Sequence, residues 1–79
     1  MSTRPDRQRL IASARRIRAI RRALGMSQRD LSYFLRVAQN TLSAWENGHT
    51  LPSPLAEQAI RNMAAEHGLD LHALPHFVA

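Results

Sequence analysis

Two short amphipathic segments separated by only three residues are the feature that most restricts how this 79-residue chain can fold. The first starts with Ser27 and Asp30, whose spacing is that of a capping box. The second spans residues 39–47 and is followed by Gly48, a residue suited to the left-handed conformation that ends many helices. Because so short a connection keeps the two helices adjacent, the pattern predicts a helix-turn-helix unit at about residues 27–48.

Apolar residues at helical spacing predict the core. In the helix-turn-helix unit, the residues expected to face inward are Leu31, Phe34, Leu35, Leu42 and Trp45. A fourth helix is predicted to start with Ser53 as its cap and Pro54 in its first turn, and to stop at Gly68. Its expected inward residues are Leu55, Ala59, Ile60, Met63 and Ala64. The fold class is therefore all-α, a compact four- to five-helix bundle.

The first helix is predicted to be long and rich in arginine. It is expected from about Pro5 to Leu24, with Thr3 or Arg4 near its cap. At ~100° per residue, one arc of this helix is apolar and holds Leu10, Ala14, Ile17, Ile20 and Leu24. An adjoining arc holds Arg4, Arg7, Arg15, Arg18 and Arg22, together with Ile11. Arg21 falls within the apolar arc, where a guanidinium is tolerated only if a carboxylate meets it.

The positive charge of the chain is concentrated at its start. All eleven basic residues are arginine, and eight of them fall in the first 22 positions, where Asp6 is the single acid. The formal net charge is +5 at pH 7. Such clustering favours binding to phosphates or to another polyanion. The alternative is a solvated helix face, although such faces usually mix charges of both signs.

Composition argues against several classes of protein. The chain has no cysteine, which excludes disulfides and thiolate metal sites, and no apolar run approaches the ~18 residues of a membrane span. His72 and His76 stand four residues apart, but Pro75 interrupts the helix that would align them, so we predict no metal site. We see no catalytic residues and no phosphate-binding glycine loop. We therefore expect a single-domain cytoplasmic protein over residues 1–79 that is not an enzyme, with no cofactor and no small-molecule ligand.

With its helices placed, the span from about Ile17 to Ala64 resembles the lambda-repressor and Cro-like helix-turn-helix family, also called XRE-type. The resemblance rests on "LGMSQRDLS", "VAQNTLSAWENG" and "LPSP", in that order and at the spacing of the family. It implies that the third helix enters the major groove of DNA with its N-terminal residues at the base edges. The base-reading residues it implies are Gln39, Asn40, Thr41 and Ser43. Their types suit the task, because Gln and Asn amides pair with adenine and a Thr methyl can touch a thymine methyl.

The resemblance also implies a set of residues that bind the sugar-phosphate backbone. These are Gln28, Arg29, Arg36, Asn47, Arg18 and Arg22. Gln28 would hydrogen-bond a phosphate at the N-terminus of the second helix and would also brace Gln39. Asn47 would bind a phosphate together with the amide of Gly48.

Three positions depart from the pattern of the family. Ala38 lacks the side-chain acceptor that usually caps the third helix, a loss of ~1 kcal/mol. Arg36 stands where a glycine usually ends the second helix, so the turn either differs or holds a left-handed arginine. Ala44 narrows the reading surface.

The resemblance supplies the acid that Arg21 requires. In several family members an arginine of the first helix pairs with the glutamate that closes the third, and these positions are Arg21 and Glu46 here. We predict this pair as a structural brace, with Trp45 as a core anchor beside it. Removing either partner should cost roughly 3–5 kcal/mol. Tyr33, on the outer side of the second helix, is expected to be half-buried packing rather than a phosphate contact.

The C-terminal segment, residues 69–79, is unusually apolar. A short turn capped by Asp70 is expected to end before Pro75. The apolar residues that could form a dimer interface are Leu69, Leu71, Leu74, Phe77 and Val78. Covering of the chain's own first and fourth helices by these residues remains an equal alternative.

These features favour a DNA-binding transcriptional regulator, most simply a repressor that binds double-stranded DNA as a homodimer at an inverted repeat. We expect it in the cytoplasm, at the nucleoid of a bacterium or in association with a phage. One alternative is an antitoxin-like or adaptor protein whose main role is to bind a protein partner such as a toxin or co-regulator. A third hypothesis is RNA binding through the arginine-rich first helix.

Overall fold

The computed structural model describes residues 6–69, and all regular structure within this range is helical. The helices are α1 (Arg7–Ala23), α2 (Gln28–Leu35), α3 (Gln39–Glu46) and α4 (Pro54–Glu66). The predicted all-α class is therefore confirmed. The expected fifth turn after Asp70, residues 71–79 with His72 and His76, and the proposed caps Thr3 and Arg4 lie outside the described residues.

The start of α1 differs from the prediction. Asp6 is the N-cap, and its Oδ1 accepts a hydrogen bond from the backbone N–H of Arg9 at 2.8 Å. An aspartate at this position satisfies one of the four N–H groups that the first turn leaves unpaired, and its charge suits the positive end of the helix. The described helix therefore begins at Arg7 rather than at about Pro5, because Asp6 supplies the acceptor that caps its first turn.

The connection between α1 and α2 forms as the sequence predicts. Gly25 adopts a left-handed conformation, with φ of 68°, immediately after the helix. Ser27 then caps α2: its Oγ accepts from the Asp30 N–H at 3.0 Å, and the Asp30 carboxylate accepts from the Ser27 N–H at 3.1 Å. Both halves of the capping box are present, so α2 starts at a fixed position relative to the end of α1.

The core lies between α1, α3 and the inward sides of α2 and α4. Its buried apolar residues are Ala14, Ile17, Ala19, Ile20, Leu31, Leu42, Trp45, Ile60, Met63 and Ala64. Leu24, Leu35 and Leu69 are only partly buried and pack around this cluster. Ser32 is also buried, and its hydroxyl donates to the Arg29 carbonyl at 2.8 Å, so its polar group has a partner.

Three predicted core residues are exposed. Phe34 is 51% exposed and Leu55 is 83% exposed, and Ala59 also faces solvent. Phe34 lies ~100° around α2 from Leu35, which shares the inward stripe with Leu31. On α4 the inward stripe is set by Ile60 with its neighbours one turn away, and Leu55 and Ala59 fall to the side of it. These residues are apolar, but their positions on the helices do not face the core.

An ion cluster that the sequence analysis missed joins α1 to α4. The guanidinium of Arg16 contacts the Glu57 carboxylate, and Arg61 Nε lies 3.3 Å from Glu57 Oε1. Burial lowers the pKa of Arg16 below its usual value, and the negative charge of Glu57 opposes that shift. Arg16 and Glu57 therefore form a partly buried charged contact between the first and fourth helices.

None of the helices between residues 6 and 69 has both the length and the apolarity needed to cross a membrane. Within that range, no group of three His, Asp or Glu side chains could hold a metal ion.

Candidate nucleic-acid interface

The turn between α2 and α3 is built around a left-handed arginine. Arg36 has φ of 57° and ψ of 42°, and its N–H donates to the carbonyl of Tyr33 at 3.2 Å. The next N–H, that of Val37, donates to the carbonyl of Ser32 at 3.0 Å. These two bonds form the pattern that normally ends a helix at a glycine. Of the two alternatives for this turn, the left-handed arginine is the one observed, and its side chain is exposed.

Helix α3 begins without a side-chain cap. Ala38 is the N-cap residue, with extended backbone, and it offers only its carbonyl, which accepts from Thr41 and Leu42 at 3.0 and 3.1 Å. The first-turn N–H groups of α3 therefore have no side-chain acceptor. Since Ala38, Gln39 and Asn40 are all exposed, this end of the helix is open to solvent.

The two sides of α3 differ sharply in burial. Leu42 and Trp45 are buried in the core, whereas Gln39, Asn40 and Thr41 are exposed. The polar residues at the start of the helix form one surface, which we call the polar front and define as Gln39, Asn40, Thr41 and Ser43. Gln39, Asn40 and Ser43 fall within about 100° of arc on the helix, and Thr41 lies about 100° further around from Asn40.

Ser43 is the least accessible member of the polar front. It is partly buried, and its Oγ accepts a hydrogen bond from Nδ2 of Asn47 at 3.2 Å. The hydroxyl hydrogen of Ser43 remains available to donate, because a serine hydroxyl can accept and donate at once. Asn47 was predicted to bind a phosphate, so the structure links a predicted phosphate-binding side chain directly to a predicted base-reading one.

The predicted phosphate-binding residues are spread over three helices and one turn. Arg29 on α2, Arg36 in the turn and Asn47 at the end of α3 are exposed, as is Arg22 on α1. Gln28 is the first residue of α2 and is partly buried. Between residues 6 and 69 we find no hydrogen bond from Gln28 to Gln39, so the expected brace between these two amides stays a prediction for the bound state.

Arg18 differs from the other predicted phosphate-binding residues. It is partly buried, and its Nη1 donates to the backbone carbonyl of Glu46 at 3.1 Å. A cation at the C-terminus of a helix is favourable because the last carbonyls carry partial negative charge. Arg18 therefore holds the end of α3, and only its remaining N–H groups are free to bind a phosphate.

The predicted brace between Arg21 and Glu46 is present. Nε of Arg21 donates to Oε2 of Glu46 at 2.9 Å, and Nη2 donates to Oε1 at 3.0 Å. Nη1 of the same guanidinium donates to the Met26 carbonyl at 3.1 Å. Glu46 is only 2% exposed, so the charge of its carboxylate is balanced almost entirely by the bidentate contact with the Arg21 guanidinium. The brace fixes α3 against α1 and so sets the direction in which the polar front faces.

Sequence reasoning missed two exposed aromatic side chains beside this site. Tyr33 is 87% exposed rather than half-buried, and its neighbour Phe34 also faces solvent. The signal was present in the sequence: both residues lie outside the arc of α2 defined by Leu31 and Leu35. They leave an apolar and aromatic surface on the outer side of α2.

The central part of the chain matches a known protein family. Residues 17–56 match a family model described as "Helix-turn-helix". The matched span begins within α1, contains α2, the turn and α3 completely, and ends in the first turn of α4. Neither the curated proteins nor the solved structures gave a match to the chain.

Proposed function

Because this chain belongs to the lambda-repressor and Cro-like (XRE-type) helix-turn-helix family of DNA-binding regulators, we propose that it is a transcriptional repressor. In this proposal it binds an inverted-repeat operator as a homodimer, with α3 in the major groove. The family consists of non-enzymatic DNA-binding domains, and we propose no catalytic role. A repressor of this kind would act in the cytoplasm, at the nucleoid.

The observation that carries the proposal is the contrast between the two sides of α3. Leu42 and Trp45 hold one side in the core, and the exposed amides of Gln39 and Asn40 project from the other. An α-helix fits the major groove, where an Asn or Gln amide can pair with both N6 and N7 of adenine. Each such pair discriminates against a wrong base by ~1–3 kcal/mol. Gln39 and Asn40 are therefore the residues we propose as the main source of specificity.

Affinity is proposed to come mainly from the phosphate backbone. Gln28 and Arg29 occupy the first turn of α2, Arg36 the turn, and Asn47 the end of α3, so they precede and follow the polar front along the chain. Each neutralised phosphate releases counterions and contributes about −0.9 to the slope of log affinity against log salt. Binding should therefore weaken steeply as salt rises.

The homodimer is proposed because readers of this kind bind two half-sites related by two-fold symmetry. We propose the C-terminal segment, residues 69–79, as its interface. Leu69, its one member among the described residues, is partly buried against the chain's own core. That packing supports an intramolecular role for Leu69 itself, and the dimer proposal then rests on Leu71, Leu74, Phe77 and Val78.

The decisive experiment is selection of duplex DNA from a random pool. The wild-type chain should enrich a motif with two-fold symmetry, and Gln39→Ala with Asn40→Ala should change or erase it. The matched control is Gln58→Ala with Asn62→Ala, which removes the same two amides from the exposed surface of α4, where they bond to each other at 2.9 Å. This control should leave the motif unaltered. Base reading by α3 is refuted if the wild-type chain enriches no motif. It is also refuted if the double variant at positions 39 and 40 and the control at positions 58 and 62 change the motif equally.

Dimerisation and repression need separate measurements. Sedimentation of the free chain and of the chain with its selected duplex should give two chains per duplex. A reporter whose promoter overlaps the selected motif should lose transcription when the chain is expressed, and the Gln39→Ala, Asn40→Ala variant should not cause this loss. Increased transcription would contradict the repressor proposal while preserving DNA binding.

A second candidate function is supported by the aromatic surface of Tyr33 and Phe34. Exposed aromatic residues are enriched in protein interfaces, which suits the antitoxin-like or adaptor alternative. Tyr33→Ser with Phe34→Ser separates the two functions: the selected DNA motif and affinity should persist if this surface only serves a protein partner. If random-pool selection yields no motif, this second candidate replaces the first.

A further inference from the structure

The first helix extends well beyond the part of the chain that matches the family. The match begins at residue 17, whereas α1 begins at Arg7. The additional turns are helical, capped by Asp6, and continuous with the part of α1 that contacts α3. The function proposed above uses none of these turns, so they require an explanation of their own.

One side of this extended helix forms what we call the arginine edge, defined as Arg7, Ile11, Arg15, Arg18 and Arg22. At ~100° per residue these five positions fall within about 80° of arc, and at ~1.5 Å per residue they span about 22 Å along the helix. Arg7, Arg15 and Arg22 are exposed, and α1 itself contains no acidic residue. The salt bridges among the described residues involve none of these three arginines. Their charges are therefore open to solvent and point to the same side.

The arginine edge is held at a fixed position relative to the recognition helix. Arg18, in the middle of the edge, donates to the carbonyl of Glu46 at the end of α3. Further along, Gly48 lies beside the backbone of Leu10, where an added Cβ would be in ordinary van der Waals contact, 3.6 Å from the Leu10 carbonyl oxygen. The first turn of α1, which contains Arg7, therefore lies beyond the point where Gly48 meets this helix.

From this geometry we propose that the arginine edge binds the phosphates of duplex DNA that flank the operator, beyond the base pairs read by α3. The proposal deepens the DNA-binding function above and rests on it. A row of four arginines over about 22 Å is complementary to the dense negative charge of a DNA backbone, which carries one charge per ~1.7 Å of duplex. Because α1 is ordered by its own core contacts, these arginines are presented without any cost of folding on binding.

RNA is a less suitable partner for this surface. Arginine-rich RNA-binding segments commonly fold as they bind, using side chains of many orientations. In α1 the opposite side of the helix is occupied by the core residues Ile17 and Ile20, which leaves only one edge accessible. A single charged edge fits the outside of a nucleic-acid backbone, and the family membership makes that nucleic acid duplex DNA.

The test compares two duplexes that carry the motif selected by the wild-type chain. The core duplex ends at the motif, and the extended duplex adds about one helical turn, ~10 base pairs, of arbitrary sequence on each side. The wild-type chain should bind the extended duplex more tightly and with a steeper salt dependence. On the extended duplex, Arg15→Gln should make the slope of log affinity against log salt shallower by about 0.9. On the core duplex, the same substitution should leave this slope unchanged. A roughly fourfold rise in salt should then weaken wild-type binding by about 3.5-fold more than it weakens the variant.

Arg9→Gln is the matched control. Arg9 is also exposed on the N-terminal turns of α1, and its replacement removes the same charge, but it lies ~120° around the helix from Arg15. This control should retain the wild-type preference for the extended duplex. Arg7→Gln should behave like Arg15→Gln. Circular dichroism of all the variants should match the wild-type chain, since the three side chains are exposed.

Several results would overturn the proposal. The proposal is wrong if the wild-type chain binds the two duplexes with equal affinity. It is also wrong if Arg15→Gln and Arg9→Gln change the salt dependence of binding to the extended duplex equally. If selection yields no motif, base reading fails, but the edge is still tested by the salt slopes of the same variants on a duplex of arbitrary sequence. If Arg15→Gln weakens binding to a double-stranded RNA of equal length and leaves the DNA slopes unchanged, the edge is an RNA-binding surface instead.

Discussion

Replacing Arg21 with methionine is expected to be among the most damaging single substitutions on α1. The side chain of Glu46 is 3% exposed, and both of its oxygens accept from Arg21, at 2.9 and 3.0 Å. Arg21→Met removes both bonds and leaves a carboxylate inside the fold, which costs about 3–5 kcal/mol. A domain of this size has a free energy of unfolding of roughly 4–12 kcal/mol, so the variant should lose about a quarter or more of its stability at the upper end of this range and all of it at the lower end.

Replacing Glu46 instead of Arg21 should cost less stability. The side chain of Arg21 is 17% exposed and keeps its bond to the Met26 carbonyl, so after Glu46→Leu the guanidinium still has one partner and some access to water. The expected loss is about 1.5–3 kcal/mol, the range for a lost hydrogen bond to a charged group, which is lower than the roughly 3–5 kcal/mol that the sequence predicts for either partner. The double variant, Arg21→Met with Glu46→Leu, leaves no buried charge without a partner. It should therefore be more stable than Arg21→Met alone.

The single tryptophan makes this series straightforward to measure. Trp45 is buried beside Glu46, so its fluorescence should report unfolding in urea directly, with far-UV circular dichroism as a second probe. A loss of 3 kcal/mol or more should lower the Tm by at least about 12 °C in a domain of this size. Arg22→Met is the control, because Arg22 is the exposed neighbour in the same last turn of α1 and should cost less than about 1 kcal/mol.

Two outcomes would refute this reasoning. The first is a loss below about 1 kcal/mol for Arg21→Met, which would mean that the pair is no stronger than a surface salt bridge. The second is strict additivity, in which the double variant loses as much as the two single variants together. Either result would show that Arg21 and Glu46 are neighbours without being a brace.

Three further substitutions test the turn and the helix caps. Arg36→Gly should raise the free energy of unfolding by about 1 kcal/mol, measured by urea unfolding, because a residue with a Cβ no longer has to adopt the left-handed conformation. On our DNA-binding proposal, the same substitution should weaken DNA binding, which a binding titration measures. Ala38→Ser should stabilise the chain by ~1 kcal/mol in the same unfolding assay, because the N-cap of α3 has no side-chain acceptor. Ser27→Ala should destabilise it by ~1 kcal/mol through loss of the capping box, and an unchanged midpoint would contradict this role.

The local signals of the sequence predicted the fold well where they act over a few residues. The capping box at Ser27, the left-handed Gly25 and the cap and proline at Ser53 and Pro54 all fix helix ends through contacts within four residues. The Arg21 to Glu46 pair is a long-range contact, yet it was predictable because a charge in an apolar arc requires an opposite charge. The resemblance to the family then identified which acid.

The errors arose where apolar character was taken as burial. Phe34 and Leu55 were assigned to the core because they are apolar, although neither lies on the inward stripe of its helix. The contact of Arg16 with Glu57 could not be predicted from spacing, because it depends on how α4 lies against α1. Helix periodicity gives the face that each helix buries, but it does not give the partner that face meets.

Helix α3 is too short to be stable on its own. It is eight residues long, well below the ~12–15 residues at which isolated helices become marginally stable, and Ala38 gives it no side-chain cap. Its order therefore depends on Leu42 and Trp45 in the core and on Glu46 bound to α1. Between residues 6 and 69 the side chains at positions 39 and 40 make no hydrogen bond, so they contribute little to that order. Substitutions there should alter the selected DNA motif at a stability cost within about 0.5 kcal/mol, whereas Leu42→Ala should cost about 2–5 kcal/mol.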